Sequence, residues 1–263
     1  MLQFCSLYSG SSGNSFLVKS DNTNILIDSG VSAKKIINGL TSINMSISDV
    51  QSILVTHEHI DHTQSLGTLS SKYDLPVYAN SKTWDSLKEK RDKIAEKNQK
   101  IFNTLESFEV GDLKIFPFRT PHDAADPCGF NIYNNSQKLS VATDLGHVNT
   151  DIIKHLEGSS SVMLEANYDP EVLKVSSYPY SLKQRIEGPK GHLSNKMSGQ
   201  AICNLITSGL KNALLVHLSK ENNFPELAHK TIEEELFNKN YSLIDINLNI
   251  APRDIPSILY NVG

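Results

Sequence analysis

The sequence lacks any run of apolar residues long enough to cross a membrane. A spanning helix takes about 18 or more consecutive apolar residues, and no stretch of these 263 residues approaches that length. The first residues also lack the basic region and the apolar core of a secretory signal. We therefore expect no membrane partner and a cytoplasmic location.

The sequence has few cysteines, and its basic residues do not outnumber its acidic ones. The three cysteines, Cys5, Cys128 and Cys203, show no CxxC spacing, which excludes a disulfide framework and favours buried free thiols in a reducing compartment. There are 25 Lys and Arg residues against 29 Asp and Glu, a formal net charge of −4. This removes a general attraction to polyanions but leaves room for a local basic patch.

The remaining composition is typical of a globular protein. Hydrophobic residues make up 39% and charged residues 21%, a balance that excludes a disordered chain. The length suffices for one large core, and no Pro/Gly/Ser-rich linker divides it. We predict a single domain over residues 1–263, with no feature that requires an obligate protein partner.

Short apolar segments separated by turn residues predict many strands. We expect strands at 4–8, 15–18, 24–27, 53–55, 113–118, 129–133, 138–142, 161–164 and 212–216. Helices are expected over 33–40, 84–100 and 195–207, the second as an exposed amphipathic helix. This alternation predicts an α/β fold with two packed sheets and helices outside them.

The densest group of metal-capable side chains directly follows the apolar strand at 53–55. His57, His59, Asp61 and His62 lie within six residues. Residues i and i+2 of an extended backbone point the same way, so His57 and His59 can share one ion. Asp61 and His62 lie just beyond, where they can reach a second ion. Imidazole and carboxylate suit zinc, manganese or iron.

Three further metal-capable residues stand at the ends of predicted strands: His122, Asp144 and His217. Two divalent ions need about six or seven protein ligands if each keeps a position open for water. A hydroxide held between the ions would be the nucleophile. The division that we predict gives one ion His57, His59 and His122 and the other ion Asp61, His62 and His217, with Asp144 as a bridge.

With these residues the chain resembles the metallo-β-lactamase-fold hydrolases, whose HxHxDH signature is met in full by residues 57–62. Segments 8–15, 26–30 and 217–223 are similar to the YycJ (WalJ) branch, and the resemblance covers nearly the whole chain. It implies an αββα sandwich, two mixed β-sheets with helices on the outer faces. It also implies two divalent ions (Zn²⁺, Mn²⁺ or Fe²⁺) and 5′→3′ exonuclease activity on DNA.

The resemblance extends to residues around the ligands. Asp28 would orient the ligand loop, although a simple turn aspartate before Gly30 explains it equally well. His192 is placed like a histidine of tRNase Z and the cyclic phosphodiesterases that sits over the metals without binding them. It would contact the phosphate or protonate the leaving oxygen; the alternative is a histidine in a helix-capping loop.

Predictions for substrate contacts rest on the surroundings of His192. Ser194 either contacts substrate or caps the helix that follows. Four basic residues either contact phosphates or belong to a solvated loop: Lys183, Arg185, Lys190 and Lys196. His147 is expected outside the ligand set. Relatives often carry a histidine where Tyr168 stands, so no catalytic role is assigned there.

The sequence thus predicts a phosphodiesterase acting on nucleic acid, with Asp61 and His192 as catalytic residues. DNA is the favoured substrate. The alternative is a small-molecule hydrolase of the same fold: a thioesterase, a lactonase or a cyclic phosphodiesterase. A di-iron redox protein is disfavoured because His59 stands where the redox form commonly carries glutamate. An inert module is disfavoured because all seven ligands are present.

Overall fold

In the computed structural model, which describes residues 1–263, the chain forms two seven-stranded β-sheets. The first sheet starts with β1 (Gln3–Tyr8), β2 (Ser15–Lys19), β3 (Asn24–Ile27), β4 (Ser52–Leu54), β5 (Val77–Asn80) and β6 (Gln99–Phe102). The second sheet contains β7 (Phe108–Val110), β8 (Leu113–Arg119), β9 (Cys128–Asn134), β10 (Gln137–Ala142), β11 (Ser161–Glu165), β12 (Asn212–Val216) and β13 (Asn247–Ile250). A last short strand, β14 (Tyr260–Asn261), returns to the first sheet beside β1.

Nine α-helices accompany the strands. They are α1 (Ala33–Ser42), α2 (Ile60–Thr63), α3 (Leu66–Tyr73), α4 (Ser81–Leu87), α5 (Thr150–Leu156), α6 (Pro170–Val175), α7 (Tyr180–Glu187), α8 (Asn195–Ile206) and α9 (Pro225–Asn238). None of them combines the length and the apolarity that crossing a membrane requires.

Both sheets are mixed, and both contain a run of parallel strands. The strand orders are β14-β1-β2-β3-β4-β5-β6 and β13-β12-β11-β10-β9-β8-β7. Strands β3 to β6 are parallel in the first sheet, and β10 to β13 are parallel in the second. Since parallel strands end at the same edge of their sheet, the loops after them are brought together there.

Alternating side chains sort the core into three layers. On β3, Ile25 and Ile27 pack between the sheets, whereas Leu26 packs against α1, α3 and α4. On β12, Leu214 packs between the sheets and Leu215 packs against α5, α8 and α9. Successive side chains of a strand point to opposite faces, so each sheet is covered on both faces. The predicted αββα sandwich is confirmed.

The predicted helix over 84–100 is wrong. Helix α4 ends at Leu87, a 3-10 helix follows over Lys88–Lys93, and residues 99–102 form strand β6. Trp84 and Leu87 are buried, as their spacing indicated. The backbone of Lys88, however, takes a positive φ of 32°, and residues 99–102 pair with β5. Pairing with a strand so distant in sequence overrides the local helical pattern.

Candidate metal centre

The predicted ligands come from the loops after four strands. The loop after β4 carries His57 and His59 and leads into α2, so that Asp61 and His62 lie in the first turn of that short helix. Strands β8, β10 and β12 lead to the other three predicted ligands. Because β4 belongs to the first sheet and the others to the second, the site lies where the edges of the two sheets meet.

Two ligands leave their strands in a left-handed backbone conformation. Asp144 has a φ of 57° and His217 a φ of 58°. Such a conformation costs a non-glycine residue about 1–3 kcal/mol and is concentrated at functional sites. At His217 hydrogen bonds offset this cost. Its backbone N–H donates to Ser9 Oγ at 2.8 Å, and its carbonyl oxygen accepts from the Asn167 side-chain amide at 2.9 Å.

The structure brings all seven predicted ligands together. Within each group of possible ligands, the ligand atoms lie within 4.8 Å of one another. Two of the four groups have the same members as the sets predicted for the two ions: His57, His59 and His122; and Asp61, His62 and His217. A third group joins His57 and His62 to Asp144.

The Asp144 carboxylate lies between the first two groups. Its Oδ1 is 3.6 Å from Nε2 of His122, a member of the first group. Its Oδ2 is 3.1 Å from Nε2 of His62, a member of the second. One carboxylate is thereby within reach of both candidate ion positions, which is the arrangement that a bridging ligand requires.

Two buried imidazole nitrogens test whether metal ions fit this site. Nε2 of His57 and Nε2 of His217 make no hydrogen bond, although the His217 atom lies 3.5 Å from the Asp61 carboxylate. A buried polar atom without a hydrogen bond costs about 1–3 kcal/mol. The opposite nitrogens are held by hydroxyls: Nδ1 of His57 lies 3.0 Å from Thr56 Oγ1, and Nδ1 of His217 lies 2.9 Å from Thr143 Oγ1. These contacts orient the rings as in known metal sites, so the donor set fits divalent ions.

Asp28 lies behind the ligand loop and is fully buried. Its Oδ2 is 2.7 Å from Nδ1 of His62 and accepts a hydrogen bond from Thr56 Oγ1 at 2.8 Å, while Oδ1 accepts from the Thr56 N–H at 2.9 Å. Burial raises the pKa of the Asp28 carboxyl, although His62 and Thr56 act in the opposite direction. The geometry is that of a residue that orients His62 rather than one that binds an ion.

Burial and neighbouring charges shift the pKa values of the predicted ligands. Burial lowers the pKa of His57 well below its ordinary value, which favours the neutral ring that binds metals. For His217, burial alone would lower the pKa, but Asp144 and Asp61 outweigh it and raise the pKa to about 10. In the same way burial would raise the pKa of Asp144, yet His217 and His62 hold it well below its usual range. The metal-free site therefore keeps ionised carboxylates paired with imidazolium groups.

Glu165, the last residue of β11, is a site residue that the sequence analysis missed. It is fully buried, and its Oε1 lies 2.7 Å from Nδ1 of His192. Its Oε2 accepts backbone hydrogen bonds from Leu145 at 2.7 Å and Leu193 at 3.2 Å. Glu165 also forms a further group of possible ligand atoms with Asp144, His192 and His217. The available signal was an acidic residue at a strand end, the same pattern that identified Asp144.

Five of the seven predicted ligands line a pocket of about 260 Å³, here called the metal pocket. His192 lines it, and part of its wall comes from Tyr178 and from Leu182, Arg185 and Ile186 on α7. The Arg185 guanidinium donates to both carboxylate oxygens of Asp123, at 2.6 and 3.1 Å. This ion pair joins α7 to the residue that follows the predicted ligand His122.

The other predicted substrate contacts lie outside the metal pocket. Ser194 is buried, and its Oγ accepts a backbone hydrogen bond in the first turn of α8 as the N-cap. The Lys183 ammonium donates to two backbone carbonyl oxygens and lines a different cavity. Lys190 and Lys196 are exposed. Ser194 and Lys183 therefore make hydrogen bonds to nearby backbone groups. Of the predicted substrate contacts, only Arg185 lines the metal pocket.

His147 also lies apart from the ligand set. Its Nδ1 is 2.9 Å from the carbonyl oxygen of Pro189, and its ring lines a separate cavity of about 480 Å³ together with Arg119 and Lys154. It belongs to none of the possible ligand groups.

Comparisons with known proteins agree with this geometry. A family model described as the beta-lactamase superfamily domain matches residues 23–218. The chain is 38% identical to exodeoxyribonuclease YycJ of Bacillus anthracis over 242 residues, 92% of each chain. It is also 38% identical to exodeoxyribonuclease WalJ of Streptococcus pneumoniae over 232 residues, 88% of this chain and 86% of the relative.

Among solved structures, the metallo-beta-lactamase fold protein YhfI of Bacillus subtilis superposes over the full length of both chains. The TM-score is 0.71 at 17% identity, a likeness of fold. The HxHxDH ligand loop, the two-sheet sandwich and the matched sequences all point to one assignment. The chain belongs to the beta-lactamase superfamily, as a metallo-β-lactamase-fold protein of the YycJ/WalJ branch.

Proposed function

We propose that this protein is a metal-dependent exodeoxyribonuclease that hydrolyses phosphodiester bonds in DNA. The observation that carries the proposal is the convergence of the seven His and Asp residues in one cluster, five of which line a pocket together with His192. The two relatives named as exodeoxyribonucleases support DNA as the substrate because they match this chain over most of its length. Cleavage from the 5′ end, as the resemblance implies, is part of the proposal.

The ligand groups lead us to propose two divalent ions, with zinc, manganese and iron as the candidates for a His/Asp donor set. Bound there, such ions make water a good nucleophile at neutral pH and offset the negative charge that develops on the phosphate. Asp61 and Asp144 would hold these ions in the pocket. Asp28 would keep the His62 ring in place through its 2.7 Å contact with Nδ1.

His192 completes the proposed mechanism without serving as a ligand. Its Nδ1 is held by the Glu165 carboxylate, so the ring is fixed and Nε2 is left to meet the substrate. A histidine in this position can hydrogen-bond the phosphate and pass a proton to the leaving oxygen, a step that suits imidazole near neutral pH. Glu165 would act as the positioning residue for this step.

The test is hydrolysis by the metal-loaded protein of end-labelled single- and double-stranded DNA, RNA, bis-p-nitrophenyl phosphate and a thioester. We expect DNA cleavage that starts at the 5′ end, is lost after chelation and is abolished by Asp61→Ala. Asp85→Ala is the matched control, because Asp85 is a surface carboxylate whose side chain is 76% exposed. Thioester turnover without cleavage of any phosphodiester would overturn the proposal.

A further inference from the structure

Helices α6 and α7 form a hairpin, residues 170–187, with a small hydrophobic core of its own. Tyr168, Leu173 and Ile186 are buried in it, and Tyr178 and Leu182 pack against them. The Lys183 ammonium on α7 donates to the carbonyl oxygens of residues 174 and 176, both at 2.7 Å. These contacts tie the two helices together, so the hairpin presents a defined surface.

The hairpin is also attached to the metal centre. Arg185 on α7 pairs with Asp123 through two hydrogen bonds, and Asp123 follows the predicted ligand His122 in sequence. Side chains on the hairpin are thereby fixed relative to the ligands.

A second cavity, here called the outer pocket, lies on the hairpin and has a volume of about 440 Å³. Tyr178 lines both the outer pocket and the metal pocket. The two pockets therefore adjoin at this tyrosine.

Tyr180 supplies an exposed aromatic wall to the outer pocket. It is 74% exposed, yet its hydroxyl accepts a hydrogen bond from Nε2 of Gln184 at 2.9 Å. Gln184 lies one helical turn further along α7, so the contact restrains the ring. A restrained aromatic ring open to solvent is the kind of platform on which nucleobases stack.

The charges around the outer pocket favour a base over a phosphate. The positive charges of Lys174 and Lys183 are offset by the negative charges of Glu171 and Glu187. The Lys183 ammonium also donates hydrogen bonds to two backbone carbonyl oxygens. A pocket without excess positive charge does not attract phosphate. A nucleobase is uncharged, has two stacking faces and carries donors and acceptors on its edge that can meet both acidic and basic side chains.

We propose that the outer pocket binds a nucleobase of the DNA strand, from one of the two nucleotides that flank the scissile phosphate, with Tyr180 as the stacking platform. The inference rests on the proposed function and deepens it. Binding would be tolerant of sequence, since every base has an aromatic face. It would hold the strand end in register with the metal centre.

The experiment compares kcat/KM of the metal-loaded protein on a labelled oligodeoxynucleotide and on bis-p-nitrophenyl phosphate, which has no base. Tyr180→Ala is expected to lower kcat/KM on DNA about tenfold, the effect of losing one stacking contact, chiefly through KM. Hydrolysis of the small phosphodiester should be unchanged. Tyr180→Phe keeps the stacking face and loses only the hydrogen bond from Gln184, so it should retain most of the wild-type kcat/KM on DNA. Phe237→Ala should do so as well, because Phe237 is a 78% exposed aromatic on α9, far along the chain from the hairpin.

Abasic substrates sharpen the test. Two abasic substrates lack the base of the first or of the second nucleotide, and one of them should lower kcat/KM of the wild type about tenfold, as Tyr180→Ala does. An abasic fifth nucleotide should leave kcat/KM unchanged. The same abasic substrate should cost Tyr180→Ala nothing further, since the contact is already lost. DNA cleavage that ignores both terminal bases, or losses that multiply in the variant, would overturn this inference alone. No DNA cleavage by the wild type would overturn the proposed function and the inference with it.

Discussion

Thr56 and Thr143 have the same role at the metal centre although they precede ligands on different sheets. Thr56 Oγ1 donates to Asp28 and lies 3.0 Å from Nδ1 of His57. Thr143 Oγ1 donates to Asp144 at 2.9 Å and lies 2.9 Å from Nδ1 of His217. Each hydroxyl therefore links a carboxylate to an imidazole and fixes the ring. The ligands were readable from the sequence as strand-end His and Asp residues, but nothing local marks a threonine as their support.

His192 gives the sharpest prediction for a single residue. If it protonates the leaving oxygen, His192→Ala should lower kcat on DNA about 100-fold or more. Hydrolysis of bis-p-nitrophenyl phosphate should fall much less, because its phenolate leaves without a proton. Metal content, measured by elemental analysis of the purified protein, should match that of the wild type. A loss of bound metal, or equal losses on both substrates, would contradict this role.

Asp28 is predicted to act on metal affinity. Asp28→Asn keeps the size of the side chain and removes the carboxylate charge beside His62. Replacing such a ligand-orienting partner weakens metal binding about 10- to 100-fold, and we expect this range in a metal titration followed by calorimetry. Asp85→Asn, at the surface, is the matched control. An affinity equal to that of the wild type would show that the His62 ring is held without this contact.

At the scale of elements, strands and helices could be predicted from the sequence where the local pattern and the tertiary packing agree. The strands predicted from apolar runs are all present, with ends that differ by about a residue. The strands that it missed are short or at sheet edges, such as β7 with three residues and β14 with two. Strand β14 pairs with β1 at the other end of the chain, and β7 pairs with β8 across a tight turn. Both are too short for an apolar pattern to show, so pairing rather than propensity determines them.

Helix α9 was missed although its signal was present. Its buried residues, Ala228, Ile232 and Leu236, recur every four positions, which is the period of one helix face.

The wall of the outer pocket, in contrast, could not be predicted from local sequence. The hairpin that forms the outer pocket depends on contacts between Tyr168, α6 and α7, and local sequence does not encode such tertiary packing. Ser194 caps α8 and Lys183 donates to two backbone carbonyl oxygens, and their roles as substrate contacts stay predictions.

Gly30, in the loop after β3, packs directly against the ligand loop at Asp61. A Cβ at this position would lie 1.6 Å from the carbonyl oxygen of Asp61, while the Gly30 N–H donates to the Asn14 carbonyl oxygen at 2.7 Å. Gly30→Ala should therefore displace the loop of Asp61 and cost about 3 kcal/mol or more of unfolding free energy. Denaturant unfolding and metal content measure the two effects.

The control for Gly30→Ala is Gly39→Ala. Gly39 is buried in α1, where the nearest atom to a new Cβ, on the Tyr8 side chain, is 3.2 Å away, and alanine is the better helix former. This variant should keep its metal and its stability within about 1 kcal/mol. Wild-type behaviour of Gly30→Ala would mean that the backbone around Asp61 moves freely.

At the scale of the whole molecule, the metal centre joins the two sheets. The loop after β4 belongs to the first sheet, and the loops after β8, β10 and β12 belong to the second. The meeting of these His and Asp residues could be predicted because each follows a strand, and parallel strands gather such residues at one edge. The shape of the pocket could not, because its wall comes from packing between distant segments. That residues 1–263 form a single domain stays a prediction.

Ions bound between the sheets should stabilise the fold, and more so at high pH. In the metal-free protein the pKa of His217 is raised from 6.5 to about 10. Its ion pair with Asp144 therefore contributes fully below about pH 6.5 and is lost as the pH rises through about 10. Metal binding needs the unprotonated ring, so protons compete with ions at low pH. The difference in stability between loaded and chelated protein should widen between these pH values.

The measurement is thermal unfolding with excess metal and with chelator at several pH values. Ion at 100 times its Kd stabilises the folded state by about 3 kcal/mol, which for a chain of this size raises Tm by roughly 6–12 °C. In Asp61→Ala the response to chelator should shrink, because one ion loses a ligand, while Asp85→Ala should respond like the wild type. Equal melting temperatures with and without metal would mean that the two sheets hold the ligands in place unaided. The buried Nε2 atoms of His57 and His217 would then need another partner.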